Sequence, residues 1–256
     1  MAAQTTNVLI TGVSRGLGRA LAFAYLARPN HIVIGSVRSL SSPIASELQT
    51  AAATLSGPGS RLILVPIEAT NPADYANAVT TLTTAHSLTH LDIVVANAGI
   101  TGALTPVATI PIPDLENVLA VNTVGPILLF QAVLPLLLKS PTGHPKWISL
   151  STISGSIGAL DETAGFPTVS YGLSKAALNF VTKSIHLQHK EIVSVAVHPG
   201  WVKTEMGNAS AKHFGLESAF HEVGASVEAV LAIIDKAAKE NESGKFVGFD
   251  GNIVPW

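Results

Sequence analysis

Short runs of consecutive apolar, often β-branched residues alternate along the chain with longer stretches in which apolar side chains return every three or four positions. The short runs, Val8–Thr11, His31–Val37, Arg61–Pro66, Leu91–Ala96, Trp147–Leu150, Ile192–His198 and Lys245–Phe249, read as strands. Most are apolar at successive rather than alternate positions, the pattern of a parallel sheet covered on both faces. The longer stretches predict helices over Gly16–Ala27, Pro43–Leu55, Ala73–His86, Asp114–Lys139, Tyr171–His189 and Val227–Glu240. Strand–helix alternation over the whole length predicts an α/β architecture: one doubly wound domain over residues 1–256, with a mostly parallel seven-stranded sheet. Neither an internal repeat, a low-complexity linker nor a block of charge divides it. Ligands of such sheets gather beyond the carboxyl ends of the strands.

The longest apolar stretch, Val118–Leu138, runs twenty-one residues without a charge, about the span of a bilayer. Asn122, Pro126, Gln131 and Pro135 interrupt it, and basic flanks are absent beyond Lys139, so a buried helix is expected and no membrane partner. The chain holds 15 Lys+Arg and 17 Asp+Glu, net −2, so charged residues make up 12% against about 25% in ordinary soluble domains, with 47% apolar. Disorder is excluded, since disordered chains pair high charge with few apolar residues. A nucleic-acid partner is not expected without a basic excess to neutralise phosphates. Zero cysteines remove disulfides, thiolate metal sites and cysteine nucleophiles. The opening residues, MAAQTTNV, have neither the basic nor the apolar region of a secretory signal, so a cytoplasmic location is expected. On that expectation the sequons at Asn208-Ala209-Ser210 and Asn241-Glu242-Ser243 stay unmodified.

Candidate chemistry begins at the end of the first strand, in Thr11-Gly12-Val13-Ser14-Arg15-Gly16-Leu17-Gly18. Glycines at a strand-to-helix turn let the backbone approach a pyrophosphate, whose charge the helix N-terminus stabilises. The spacing is Gly-x-x-x-Gly-x-Gly, and the context of a strand before and a helix after is the one a dinucleotide site requires. Gly12-Val13-Ser14-Arg15-Gly16 also fits the Gly-x-Ser-x-Gly elbow of serine hydrolases, with His198 and Asp161 as conceivable partners. That elbow would sit unusually early, on the first strand. At the end of the second strand stands Arg38, with no carboxylate until Glu47. Together with Arg15 it offers two guanidiniums to a 2′-phosphate, which favours NADP(H) over NAD.

Ser170-Tyr171-Gly172-Leu173-Ser174-Lys175 opens a predicted helix on which Tyr171 and Lys175, four apart, share a face. A free phenol near pKa 10 is a poor acid–base catalyst at neutral pH. An adjacent ammonium, with the positive charge of oxidised nicotinamide, is expected to lower it. Such a pair can protonate a carbonyl oxygen as hydride arrives.

With these two motifs in order, the chain resembles the short-chain dehydrogenase/reductase family from about residue 7 onward, and within it the fungal norsolorinic acid ketoreductase-like and sniffer-like members. The resemblance implies a Rossmann-type fold and cofactor contacts from Gly12, Ser14, Arg15, Gly16, Leu17, Gly18 and Arg38. Further contacts are implied for Glu68-Ala69 at the adenine, Asn97-Ala98-Gly99 beside the adenosine ribose, and Tyr171 and Lys175 at the nicotinamide ribose. Pro199-Gly200-Trp201-Val202-Lys203-Thr204 matches the loop whose later Val and Thr bind the nicotinamide carboxamide. Asn122 matches the asparagine that holds a water of the proton relay. The catalytic serine of the family is replaced by Thr152 in Ser151-Thr152-Ile153-Ser154-Gly155, with Ser151 and Ser154 as substitutes. The interval from Thr152 to Tyr171 exceeds the usual one, and Ala159–Pro167 is expected to form a loop over the substrate side.

The segment after the Pro-Gly loop, around 201–225, lacks periodicity and carries Met206, Phe214 and Phe220, so it is read as a lid over an apolar substrate. Nine histidines include His186 and His189, three apart, but no metal-site pattern, and no metal is expected. The apolar Asp114–Lys139 helix and the Tyr171 helix are expected, by resemblance, to pair in a homo-oligomer, a dimer or a tetramer. The expected activity is NADPH-dependent reduction of an aromatic or polyketide-like ketone to a secondary alcohol, with Tyr171, Lys175, Thr152 and Asn122 as the catalytic set. The alternative is a cyclase, an isomerase or a binding protein on a retained NADP-binding scaffold.

Overall fold

A computed structural model describes residues 5–256. Its strands are β1 (Thr6–Ile10), β2 (His31–Val37), β3 (Arg61–Pro66), β4 (Ile93–Ala96), β5 (Lys146–Leu150), β6 (Val193–His198), β7 (Phe246–Gly248) and β8 (Ile253–Val254). They form one sheet in the order β3-β2-β1-β4-β5-β6-β7-β8. All neighbours are parallel except β7 and β8. The eighth, antiparallel edge strand is an addition to the seven expected. It is only two residues long and lacks the apolar run by which the others were recognised.

The helices are α1 (Gly16–Leu26), α2 (Pro43–Leu55), α3 (Pro72–Thr84), α4 (Ile112–Leu119), α5 (Gly125–Leu137), α6 (Val169–Gln188), α7 (Glu205–His213) and α8 (Val223–Lys236). Consecutive strand residues serve opposite cores, which explains their unbroken apolar runs. Val8, Ile10, Val33, Val95, Ile148 and Val195 pack with α1 and α8. Leu9, Ile34, Val94 and Trp147 pack with α3 and α5 on the other face.

The helix expected over Asp114–Lys139 starts earlier and changes register midway, where Ala120–Val124 forms a π turn between α4 and α5. Pro126 has no N–H to give to the Asn122 carbonyl, so the ordinary helical bond is missing there. Although Ile112–Leu137 is long and apolar enough to cross a membrane, Val118, Leu129, Val133 and Leu136 of this segment are buried within the fold. A helix also occupies part of the aperiodic segment: α7 buries only Ala211, so no apolar stripe announced it. Strand order reverses between β1 and β4, and the crevice above their carboxyl ends is the place for a ligand.

Candidate active site

At that crevice lies a cavity of about 340 Å³. Gly12 (φ +71°) and Gly16 (φ +59°) adopt left-handed conformations that make the β1–α1 turn. A Cβ on Gly18 would overlap the Gly12 carbonyl oxygen and Asn97 Nδ2, so α1 can pack this close only without a side chain there. Asn97 Nδ2 donates to the carbonyls of Thr11 (2.7 Å) and Gly12 (3.3 Å). Thr11 Oγ1 accepts from the backbone N–H groups of Asn97 and Ala98, both at 3.0 Å. These bonds tie the loops after β1 and β4 into one rigid rim.

Ser42, Asn71 and Thr204 cap α2, α3 and α7 with side-chain oxygens, but among the described residues no side chain caps α1. Its first amides are open toward the cavity wall made by Ser14, Arg15, Gly16, Leu17 and Gly18. Arg38, Glu68, Ala69, Ala98 and Gly99 complete the far end. Arg15 and Arg38 thus line one cavity, though the Arg15 guanidinium is paired with Glu205 at the start of α7. Two guanidiniums, an uncapped helix start and a glycine cradle suit an anionic dinucleotide.

A second cavity, of about 370 Å³, opens on the other side of the β6–α7 loop. Phe214, Phe166, Trp201 and Phe220 form a continuous edge-to-face chain along its wall, with successive ring centroids 5.2, 5.3 and 5.3 Å apart. The loop Ala159–Pro167, which contains a short 3-10 helix at Leu160–Thr163, contributes Glu162, Thr163 and Phe166. Gly200 and Val202 line this cavity alone, whereas Pro199 and Thr204 line both. Leu17, Ser151, Tyr171 and Met206 also face both cavities.

Tyr171 and Lys175 come from the first turns of α6. The Lys175 ammonium donates to the Leu150 carbonyl (2.7 Å) at the end of β5 and lies 5.7 Å from the Tyr171 ring centroid. Burial pushes its pKa down to about 8 and pushes the Tyr171 phenol up to about 12. In the protein alone, desolvation dominates the phenol, and Tyr171 stays protonated across the neutral range.

Thr152 lines the second cavity, and its Oγ1 accepts from Ser154 N (3.4 Å), which leaves its hydrogen available. The Ser151 hydroxyl is instead committed to Asn179 Oδ1 (2.7 Å). Asn122 is fully buried; its Nδ2 donates to Ile100 O (2.8 Å) and Ser174 Oγ (3.0 Å), and its Oδ1 accepts from Ile100 N (2.9 Å). Its side chain therefore clamps α6 to the loop after β4.

Sequence reasoning gave no role to Ser36, whose Oγ accepts the Gly12 N–H (2.9 Å), or to the wall residue His221, and it included Phe166 and Trp201 only as members of the expected loop Ala159–Pro167 and the 201–225 segment. Ser36 lies inside the strand read over His31–Val37, two residues before Arg38, and a polar residue within an otherwise apolar run was the available signal. The hydrolase arrangement does not form, because Ser14 and His198 line different cavities. His186 meets Ser243 and His189 meets Glu191, and among the described residues no group of three metal-ligating side chains gathers.

The chain belongs to the short-chain dehydrogenase family, whose pattern matches residues 6–214. Among individual proteins it is 42% identical to the short-chain dehydrogenase srdF of Neurospora crassa, over 98% of each chain. It is 36% identical to the norsolorinic acid ketoreductase of Aspergillus parasiticus, over 99% of this chain and 92% of that one. Among solved structures it is similar to the NADPH-bound carbonyl reductase from chicken fatty liver, at TM-score 0.86 and 31% identity, covering 99% and 100% of the two chains. The protein is accordingly an oxidoreductase acting on C=O and CH–OH groups with a nicotinamide cofactor.

Proposed function

We propose that the protein is an NADPH-dependent ketoreductase that converts an aromatic or polyketide-like ketone to a secondary alcohol. One observation carries this reading: among the described residues that face both cavities, Tyr171 alone bears an ionisable group. The nucleotide cavity would hold NADPH through Gly12, Ser14, Gly16, Leu17, Gly18, Arg15 and Arg38, with Glu68 and Ala69 at the adenine, Asn97, Ala98 and Gly99 beside the ribose, and Pro199 and Thr204 at the nicotinamide, whose far edge would meet Gly200 and Val202 in the adjoining cavity. When bound there, the cofactor supplies the hydride.

The protein's own part is proton delivery. Tyr171, neutral up to about pH 12 in the protein alone, is a proton donor suited to the reducing direction. Thr152 donates its free hydroxyl hydrogen to the ketone oxygen and so aims it at the phenol; the methyl group of a threonine narrows the pocket there. Lys175 stands behind as the cation that stabilises the phenolate left after transfer. The Asn122 side chain is fully used, so any relay water would rest on its main-chain carbonyl, the group whose helical donor Pro126 takes away. Support for NADPH over NADH comes from Arg38 at the end of β2, where a carboxylate would select NADH. Tyr171→Phe should lower kcat for ketone reduction by about a thousandfold or more while leaving the NADPH Kd nearly unchanged. Retention of full activity would sink the mechanism.

A homo-oligomer belongs to the same reading. Leu173, Phe180 and Leu187, seven apart on α6, are 45%, 75% and 55% exposed, an apolar stripe that a second copy would cover. Light scattering that reports a monomer at assay concentration would remove this part.

A further inference from the structure

The proposed mechanism leaves one enclosed ionisable ring in the substrate cavity without a task. His198 ends β6, immediately before Pro199 and Gly200, and lines the substrate cavity but not the nucleotide cavity. Its Nδ1 is closed off from solvent and has no hydrogen-bond partner among the described residues. Buried side-chain nitrogens are ordinarily paired, so an unpaired one at a cavity wall calls for a reason. The ring is uncharged at neutral pH: burial pushes it down to about 4, with His221 adding to the shift and Asp250 opposing it.

A neutral imidazole carries one N–H and one bare nitrogen. With Nδ1 sealed from solvent, Nε2 is the ring nitrogen left to meet a ligand. The ring is also held in place. Phe249 lies edge-on to His198 with centroids 6.3 Å apart and packs against His221 at 4.2 Å. Gly200 leaves room for this arrangement, since a Cβ there would stand 2.5 Å from His221 Cδ2.

We infer that His198 is a specificity-determining residue that acts in its Nε2–H tautomer: this N–H donates a hydrogen bond to a second oxygen of the ketone substrate, remote from the carbonyl that meets Tyr171. The inference rests on the ketoreductase reading and narrows the substrate class to aromatic ketones bearing a further acceptor oxygen, such as a carbonyl, quinone or ester oxygen. A site that bonds such an oxygen disfavours the analogue that lacks it, because a ligand filling the cavity then leaves the donor unpaired.

The test compares α-tetralone with its ring-methoxycarbonyl derivatives, whose ester carbonyl accepts hydrogen bonds and is not itself reduced. NADPH-dependent kcat/KM and the Kd from tryptophan fluorescence are measured for each. The wild-type protein should prefer at least one ester-bearing ketone. His198→Phe, which keeps a ring and loses the N–H, should shrink that preference about tenfold, mainly through KM. His198→Gln, whose amide N–H replaces Nε2–H, should restore most of it. Phe249→Leu, which frees the imidazole without removing it, should shrink the preference by a smaller factor and serves if His198→Phe does not fold. No preference in the wild type, an unchanged ratio in His198→Phe, or binding of none of these ketones would overturn the inference. Failure of the ketoreductase reading is distinguishable: reduction would then be absent for every ketone, while the Kd ratio and its collapse in His198→Phe would persist.

Discussion

The two cavities that meet at Tyr171 are built from different materials. The nucleotide cavity is walled largely by backbone: a glycine turn with two left-handed residues, an uncapped helix start, and the Thr11–Asn97 bonds that lock two loops together. The substrate cavity is walled by side chains, chiefly the four-ring chain from Phe214 through Phe166 and Trp201 to Phe220. Backbone walls have few alternatives, because any added atom collides. Side-chain walls can be re-cut by substitution while the frame stays in place. A fold that keeps one half fixed and lets the other vary can serve one cofactor and many ketones.

The comparison would break first at Gly18. A Cβ there overlaps the Gly12 carbonyl and Asn97 Nδ2, neither of which can move without dragging the turn or the rim. Gly18→Ala should weaken NADPH binding by about a hundredfold or more, the scale of an overpacking strain of 1–3 kcal/mol compounded by loss of the cradle. Ketone binding, followed by fluorescence without cofactor, should change by less than about threefold. Equal losses on both sides would show that the halves are not independent.

A smaller effect is expected on the other side. The Phe214 ring meets Phe166 at 5.2 Å and His213 at 4.9 Å and closes the end of the substrate wall. Edge-to-face pairs contribute about 0.5–1.5 kcal/mol beyond simple burial, so Phe214→Ala should raise the ketone KM by about three- to tenfold. The NADPH Kd should stay within error. An unchanged KM would remove Phe214 from substrate contact.

The same contrast explains how much could be read from the sequence. Backbone sites leave compact traces, because the glycines of a turn must follow one another at fixed spacing; Gly12, Gly16 and Gly18 were legible for that reason, and Asn97 through the family resemblance. Tyr171 and Lys175 were legible because helical spacing places them on one face. The aromatic wall was only half visible. Phe214 and Phe220 stood out in an aperiodic segment, but Phe166 lies in a separate loop and meets Phe214 and Trp201 through tertiary packing that no local spacing encodes. The Lys175 contact with the Leu150 carbonyl likewise depends on how α6 seats against β5, which is why burial rather than the ammonium sets the phenol. Of the sheet, seven strands were legible from apolar runs, while β8 has two residues and owes its place to pairing with β7.

The finest test concerns an ion pair within the nucleotide half. Arg15 in the glycine turn pairs with Glu205 at the start of α7, across the mouth of the nucleotide cavity. In the proposed complex Arg15 turns to the 2′-phosphate, so Glu205 competes with the cofactor for the same guanidinium. Both side chains are largely exposed, and exposed pairs contribute at most about 1 kcal/mol, which caps the competition at roughly fivefold. Glu205→Gln should therefore tighten NADPH by about two- to fivefold at low ionic strength, and the gain should fade as salt screens the pair. NADH, which offers no 2′-phosphate, should gain less. A Kd for NADPH that does not move, or a gain equal for both cofactors, would place Arg15 away from the phosphate and leave Arg38 as the residue that discriminates.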